Sequence, residues 1–558
     1  MKRNLTILFS LIIMTSMILG ACTPAADQPE ATEAAPAFSG TATITFVQEP
    51  DTLSPLYTGM WFSSITRDLW LKGLWSFDEN NQAVPEIAAE IPTAENGGLS
   101  ADGKTITVHL REDVTWSDGT PLTADDFVFS YDMIMSDKNI VSGRYPYEDY
   151  VASVTAAEAH TLVITLTEPF APWLATIFQS WVLPKHILQP VFEAEGTLDN
   201  ADWNRNPTVG VGPFVFSEWE SGSHIIFKAN PNWVHPAKLA QIVIQIVPDD
   251  AAQEAAIIAG DTQIGVFLSS DQIPTLEADG TVNVVAVPSG YDEGWFMNVN
   301  PETAHPAMLD KNVRLAIALA TDRFTIVKDL LNDQINPVNV TFWDATSPYG
   351  NPNLTAYPYN PDEANRLLDE AGWVDTNADG TRDKDGVELI LRYITNTREL
   401  RKNVQAVVQQ QWSLVGIGAI LENHSSDIYW NSYAEGGPQA QGLYDIAEYS
   451  SVGSFPDPEA SSGWLCSEIS SADNPDGANW QGVCIEALDA LLKEQATTLD
   501  TQTRIDLYHQ IAQIMYDEVL YVGIWLDPDL WSIHNTLSNV TLSGASPFWN
   551  AADWESSK

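Results

Sequence analysis

Between Leu99 and Tyr131 the chain reads LSADGKTITVHLREDVTWSDGTPLTADDFVFSY, and this stretch constrains the fold more than any other. Ile106, Val108 and Leu110 alternate with Thr105, Thr107, His109 and Arg111, the period-two pattern of a half-buried strand, and Asp102-Gly103 is the turn ahead of it. A second turn at Asp118-Gly119 leads through Pro121 to Thr123, whose hydroxyl is placed to cap a helix with Asp126 three residues on. Strand, loop and helix follow one another within one short stretch, so the chain builds a mixed α/β fold.

Similar units recur. Thr41-Ala42-Thr43-Ile44-Thr45-Phe46-Val47 has strand composition, Leu162 to Leu166 alternates until Glu168-Pro169-Phe170-Ala171-Pro172, and Gly210-Val211-Gly212-Pro213-Phe214 opens a strand unit that Asn230-Pro231-Asn232-Trp233 closes. Asp310 to Leu331 reads as helix with a break at Thr321-Asp322. Asn360-Pro361-Asp362-Glu363 starts another helix, with Asn as cap and Pro in the first position, and Gly372 ends it. No fixed-period repeat is present.

A chain of 558 residues exceeds the roughly 250 to 300 at which single cores split, so two or three lobes are expected. Its 44% hydrophobic content excludes a disordered chain. The net charge of -49 comes from 26 basic residues against 75 acidic ones, a shortage of Lys and Arg. Nucleic-acid binding, which is driven by neutralising phosphates, is excluded. The acidity fits solubility or a saline habitat, or else a preference for cationic solutes.

At the N-terminus Lys2 and Arg3 precede an apolar run from Leu5 to Leu19, and Leu19-Gly20-Ala21-Cys22 closes it. These are the parts of a secretory signal, residues 1–22, and the apolar run is too short for a comfortable membrane span of about 20 residues. Cys22 after Gly20-Ala21 resembles a bacterial lipobox, in which the thiol carries the lipid; the alternative is an ordinary signal with a chance cysteine. Residues 23–38, rich in Ala, Pro, Thr and Glu, are a flexible tether. No second apolar stretch near 20 residues follows, so the body is expected to be soluble. With Cys22 lipidated, Cys466 and Cys484 make an even number in an oxidising compartment and are expected to be bridged, which stabilises by about 3 kcal/mol in the chain-entropy model. Free thiols and a metal pair are the alternatives, and no histidine lies between the two cysteines to complete a metal site.

The blocks Leu99 to Tyr131, Val182-Leu183-Pro184-Lys185-His186, Gly210 to Trp233, Val313-Arg314-Leu315-Ala316-Ile317 through Asp322-Arg323, and Tyr359 to Gly372 resemble, in this order, the family 5 extracellular solute-binding proteins. The resemblance implies a periplasmic-binding-protein-like fold of two lobes around a cleft with an additional inserted domain. It divides the chain into lobe I (39–60, 183–293 and 520–558), an inserted domain (61–182) and lobe II (294–519). It further implies a lipid-anchored monomer on the outer face of the bacterial cytoplasmic membrane. Such a protein captures di- or oligopeptides, closes around them and delivers them to an ABC permease and its ATPase. An oligosaccharide or other neutral solute is the alternative ligand.

Other function classes are a surface hydrolase and a solute-sensing receptor. The chain has no Gly-x-Ser-x-Gly elbow, His-Glu-x-x-His, P-loop or dinucleotide glycine fingerprint, and a non-enzyme that requires no cofactor is expected. Asp375, Asn377, Asp379 and Asp383, with Gly380 for the turn, resemble a calcium loop, although the twelfth position is Gly386. The readings are a structural calcium or a plain acidic hairpin ahead of a strand from Glu388 to Tyr393.

For the ligand, Asp445-Ile446-Ala447-Glu448-Tyr449 and Phe455-Pro456-Asp457-Pro458 resemble the family's cleft segment, where peptide binders pair an aspartate with the ligand's ammonium. That acid falls near Ser454 here, so Glu448 or Asp457 is expected to substitute, or the ligand has no free amine. Tyr57 and Trp61, after the family's Glu49-Pro50 strand end, together with Trp295, Phe296, Tyr449 and Trp464, are the aromatic cleft candidates, with core packing as the other reading of each Trp.

Overall fold

Strand Thr41–Phe46 forms in the run of strand composition, His224–Ala229 in the expected strand unit, and with Gln241–Ile246 they bury Ile44, Ile225, Phe227, Ile242 and Ile244 completely. They form the middle of a seven-stranded sheet in the order 282–287, 529–534, 264–265, 41–46, 241–246, 224–229, 214–220. The first of them runs parallel to both its neighbours, and His224–Ala229 runs antiparallel to Gln241–Ile246. The computed structural model describes residues 38–287, 291–331, 342–343, 347–452, 457–526 and 529–557. The signal, Cys22 and nearly all of the tether lie outside them. Among the described residues no helix is long and apolar enough to cross a membrane.

A second sheet has five strands in the order 418–424, 390–396, 446–452, 291–297, 521–526. Tyr521–Leu526 pairs antiparallel with Tyr291–Met297. The boundary at 520 therefore gives this strand to the wrong lobe, because two apolar strands follow each other there and only their partners tell them apart. The chain passes between the sheets twice, side by side: Val287 lies opposite Asp529 in one sheet, and Asp292 opposite Leu526 in the other.

The segment 61–182 carries a three-stranded antiparallel sheet of Thr105–His109, Thr161–Leu166 and Val151–Glu158, with helix Ala124–Met135 against it. The predicted capping box forms, Thr123 N donating to Asp126 at 2.9 Å. Val108, Trp116, Phe127 and Ile164 belong to the same apolar core as Ile44 and Ile244, so this segment packs directly onto the first sheet. Helix Trp61–Trp70 reaches Gly210 and Gly212, where a Cβ would sit 2.6 Å from the Trp70 carbonyl oxygen and 2.9 Å from its carbonyl carbon. The contact requires glycine at both positions.

In the second lobe the predicted helix splits at Thr321-Asp322 into Lys311–Leu319 and Arg323–Leu330, capped by Asp310 and Asp322. Asn360 caps Pro361–Glu370 by accepting from Glu363 N at 3.1 Å, and Gly372 follows with φ 83°. The strand expected from Glu388 to Tyr393 divides into Val387–Glu388, in a small hairpin, and Ile390–Asn396, in the second sheet. Between them Leu389 bonds Arg382 through its N–H and Gly418 through its carbonyl, handing the chain from hairpin to sheet. Cys466 and Cys484 are bonded to each other.

Candidate functional site

Gln48 and Phe267 follow the carboxyl ends of the parallel strands Thr41–Phe46 and Ile264–Gly265, the end at which open α/β sheets present ligand crevices. Both touch the other lobe. Gln48 Nε2 donates to Ser426 Oγ at 3.1 Å, and the Arg398 guanidinium lies 4.5 Å over the Phe267 ring. The segment carrying the three-stranded sheet also reaches across, Tyr145 donating its hydroxyl to Glu459 at 2.8 Å and Arg144 pairing with Asp476 at 3.2 Å. These four contacts bracket the candidate site. Sequence reasoning missed all of them, since each joins residues far apart in the chain that carry no motif.

On the first-lobe side Trp61 is half-buried, 5.8 Å from Phe267 and 6.0 Å from Trp531, and Tyr57 is half-buried at the same end. Desolvation holds the Tyr57 hydroxyl well above its ordinary range. On the second-lobe side, alternation along Tyr291–Met297 and Ile446–Val452 sorts the aromatics between two faces. Phe296 and Tyr449 fall on one face and stack with centroids 3.9 Å apart and planes 4° apart, with Trp464 at 6.0 Å. All three are buried in one apolar core, Phe296 and Trp464 almost completely. Trp295 falls on the other face, fully buried, its Nε1 donating to the Tyr393 hydroxyl at 2.8 Å and its ring 5.7 Å from Trp412. It is a core residue. Trp430, 41% exposed, meets Tyr449 edge-on at 5.2 Å and Trp480 at 6.3 Å. Those two tryptophans extend the stacked pair outward and were not anticipated.

The three candidate carboxylates are all engaged elsewhere. Glu49 accepts from Trp219 Nε1 at 2.8 Å, Ser221 Oγ at 2.9 Å and Gly222 N at 3.0 Å, gripping the turn of the hairpin 214–229. Desolvation works to raise its pKa, but these donors and Arg205 hold it below the usual carboxylate range. Asp457 receives both Arg504 amino groups, at 2.6 and 2.7 Å. Glu448 shares the face of Glu293 and Trp295, fully buried, and accepts from the Tyr393 hydroxyl. Desolvation, then the neighbouring Glu293, push its carboxyl up to about 8, while Arg401 turns its donors to Glu293 at 2.8 and 2.9 Å. The position near Ser454 lies outside the described residues.

In the acidic loop each side chain accepts from the loop itself. Asp375 takes Ala378 N at 2.7 Å and Gly380 N at 3.0 Å, Asp379 takes Thr381 N at 2.8 Å and Asn377 Nδ2 at 2.9 Å, and Asp383 takes the Thr376 hydroxyl at 2.8 Å. The loop carries its turn with these bonds and leads into the hairpin Asp383–Lys384 and Val387–Glu388.

Residues 83–472 match the model of the bacterial extracellular solute-binding proteins, family 5. Among curated proteins, the chain is 25% identical to the oligopeptide-binding protein AppA of Bacillus subtilis over 99% of both chains. It is 26% identical to the dipeptide-binding protein of Escherichia coli over 76% of this chain and 78% of that one. Among solved structures, AppA of B. subtilis in complex with a nonapeptide superposes with a TM-score of 0.81 at 24% identity, over 94% of this chain and all of the other. NikZ of Campylobacter jejuni in complex with Ni(L-His) gives 0.80 at 24% identity, over 92% and 99%. These neighbours share the two-lobed fold.

Proposed function

Because the chain belongs to the bacterial extracellular solute-binding proteins of family 5, we propose that it captures a peptide between its two sheets and delivers it to an ABC permease driven by an ATPase. A lipid on Cys22 holds it at the outer face of the membrane, and the tether expected over residues 23–38 keeps it near the permease at an effective concentration on the order of millimolar. The observation that carries this reading is the set of contacts between the lobes, Gln48 with Ser426 and Tyr145 with Glu459, around strand ends that lie side by side, Val287 opposite Asp529 and Asp292 opposite Leu526. A ligand touching both lobes favours the closed form by its differential affinity. Tyr57 and Trp61 on one side and Tyr449, Trp430 and Trp480 on the other supply flat apolar surface for side chains. The relatives are named for binding oligopeptides and dipeptides.

Mass spectrometry of the ligand that co-purifies with the chain, followed by calorimetry with that ligand, tests the proposal. A peptide that binds once per chain and raises the melting temperature by mass action is expected, and turnover of the ligand overturns it. A second reading, a ligand without a free amine, is favoured by the engagement of Glu49, Glu448 and Asp457: none of them is open to an ammonium. If this reading holds, N-acetylation of a bound peptide leaves its affinity unchanged.

A further inference from the structure

In the strand Phe214–Glu220 one extra residue changes what the hairpin offers to solvent. Phe216 pairs with Phe227 and Glu218 with Ile226, so Ser217 is a bulge that opposes nothing. Unbulged alternation would put Glu218 and Glu220 on the face of Phe216. With the bulge, Trp219 turns inward to Glu49, while Glu218 and Glu220 turn outward onto the face of His224, which lies directly opposite Glu220. One ligand atom from each of Glu218, Glu220 and His224 lies within 4.8 Å of the other two, the one such trio of His, Cys, Asp or Glu among the described residues.

We propose that Glu218, Glu220 and His224 form a divalent transition-metal site, with zinc as the ion of best fit. Two carboxylates and one imidazole are a three-ligand set that leaves a fourth position for water. His224 Nε2 stands 3.9 Å from Glu218 Oε1. A tetrahedral zinc with bonds of about 2.0 Å needs ligand atoms roughly 3.3 Å apart, a closure that exposed glutamate rotamers supply. His224 Nδ1 is bonded to Ser223 Oγ at 2.8 Å, which fixes the ring with Nε2 toward the glutamates, the role a metal-bound imidazole needs its second nitrogen to play. Two like charges on one strand face repel, and a cation between them removes that repulsion. Arg205 stacks on Trp219 at 3.9 Å and pairs with Glu49 on the inward face, away from the two glutamates. The site ties the strands on either side of the turn that Glu49 grips, at the end of the sheet where Gln48 meets the other lobe.

The test is a zinc titration of the full chain against a chromophoric chelator, repeated with cobalt to read the ligand field. A saturable step of one ion per chain is expected, with cobalt bands characteristic of nitrogen and oxygen ligands. His224→Ala, or Glu218→Gln with Glu220→Gln, should abolish the step while leaving the metal-free melting temperature unchanged, and Ser223→Ala should weaken it by about tenfold. Asp375→Asn, in the acidic loop, should leave it intact. Weak, unsaturable uptake by the acidic surface, or a step that survives His224→Ala, overturns the proposal.

Discussion

In the seven-stranded sheet the fully buried positions include Ile44, Ile225, Phe227, Ile242 and Ile244, whereas the middle strands of the five-stranded sheet bury Asp292, Glu293 and Glu448 just as deeply. Strands 224–229 and 241–246 of the first sheet bury only alternate residues, whereas Ile390–Asn396 and Tyr521–Leu526 of the second bury most of theirs. Apolar burial of the first kind stabilises by about 25 cal/mol per Å², while a buried carboxylate costs several kcal/mol unless a partner or a proton neutralises it. The five-stranded sheet uses both remedies. Glu293 takes Arg401, with Ser450 Oγ at 2.6 Å, and burial beside Glu293 raises the pKa of Glu448, which favours its neutral form. Glu293 and Glu448 lie on the face opposite Phe296 and Tyr449, while Asp292 lies on the aromatic face and accepts from the Tyr521 hydroxyl at 2.8 Å. The first sheet supplies rigidity, and the second holds charges in a fixed pattern.

The contrast is broken most severely at Arg401. Arg401→Leu removes the two close guanidinium donors of buried Glu293 and leaves it only the more distant Arg398, at 3.9 Å, as a cation. That should cost about 3–5 kcal/mol in urea unfolding, whereas adding Glu293→Gln should recover most of that loss. A single variant that loses less than about 1 kcal/mol would mean that the pair is solvated and that the two sheets are alike.

Glu448 sharpens the contrast through pH. Its carboxyl rises from the ordinary 4.5 to about 8, through desolvation first and Glu293 second. Between those values the folded chain holds a proton that the unfolded chain has released. The group's contribution is therefore full below pH 4.5, falls as pH rises toward 8 and levels off above it, with a slope of at most about 1.4 kcal/mol per pH unit. Glu448→Gln cannot ionise, so its stability relative to the parent should improve steadily from pH 5 to 8. Parallel curves for the two proteins would show that Glu448 is ionised in the folded state.

Local chemistry explains what could be read from the chain. Thr123 with Asp126, Asn360 with Pro361, the break at Thr321-Asp322 and the pairing of Cys466 with Cys484 depend on residues close in sequence or on the parity of a few cysteines. Neighbouring residues on opposite faces were the blind spot. Trp295 and Phe296, or Glu448 and Tyr449, are adjacent in sequence, and which face each takes depends on strand register. The bulge at Ser217, the partner of Tyr521–Leu526 and the reach of Arg504 to Asp457 are likewise set by pairing across long separations. Composition identifies the residues; it does not orient them.

The mildest perturbation belongs to the first sheet. Ile244 is fully buried between Ile44 and Ile225, its partners in register on either side, and touches no titratable group. Ile244→Val removes one methylene and should cost about 0.5–1.5 kcal/mol. Because nothing there titrates, the loss should be the same at pH 5 and pH 8, and it should add to that of Arg401→Leu within about 0.5 kcal/mol, since the two sites share no partner. A pH-dependent loss at Ile244, or strong coupling to Arg401, would show that the sheets unfold as one electrostatically linked unit.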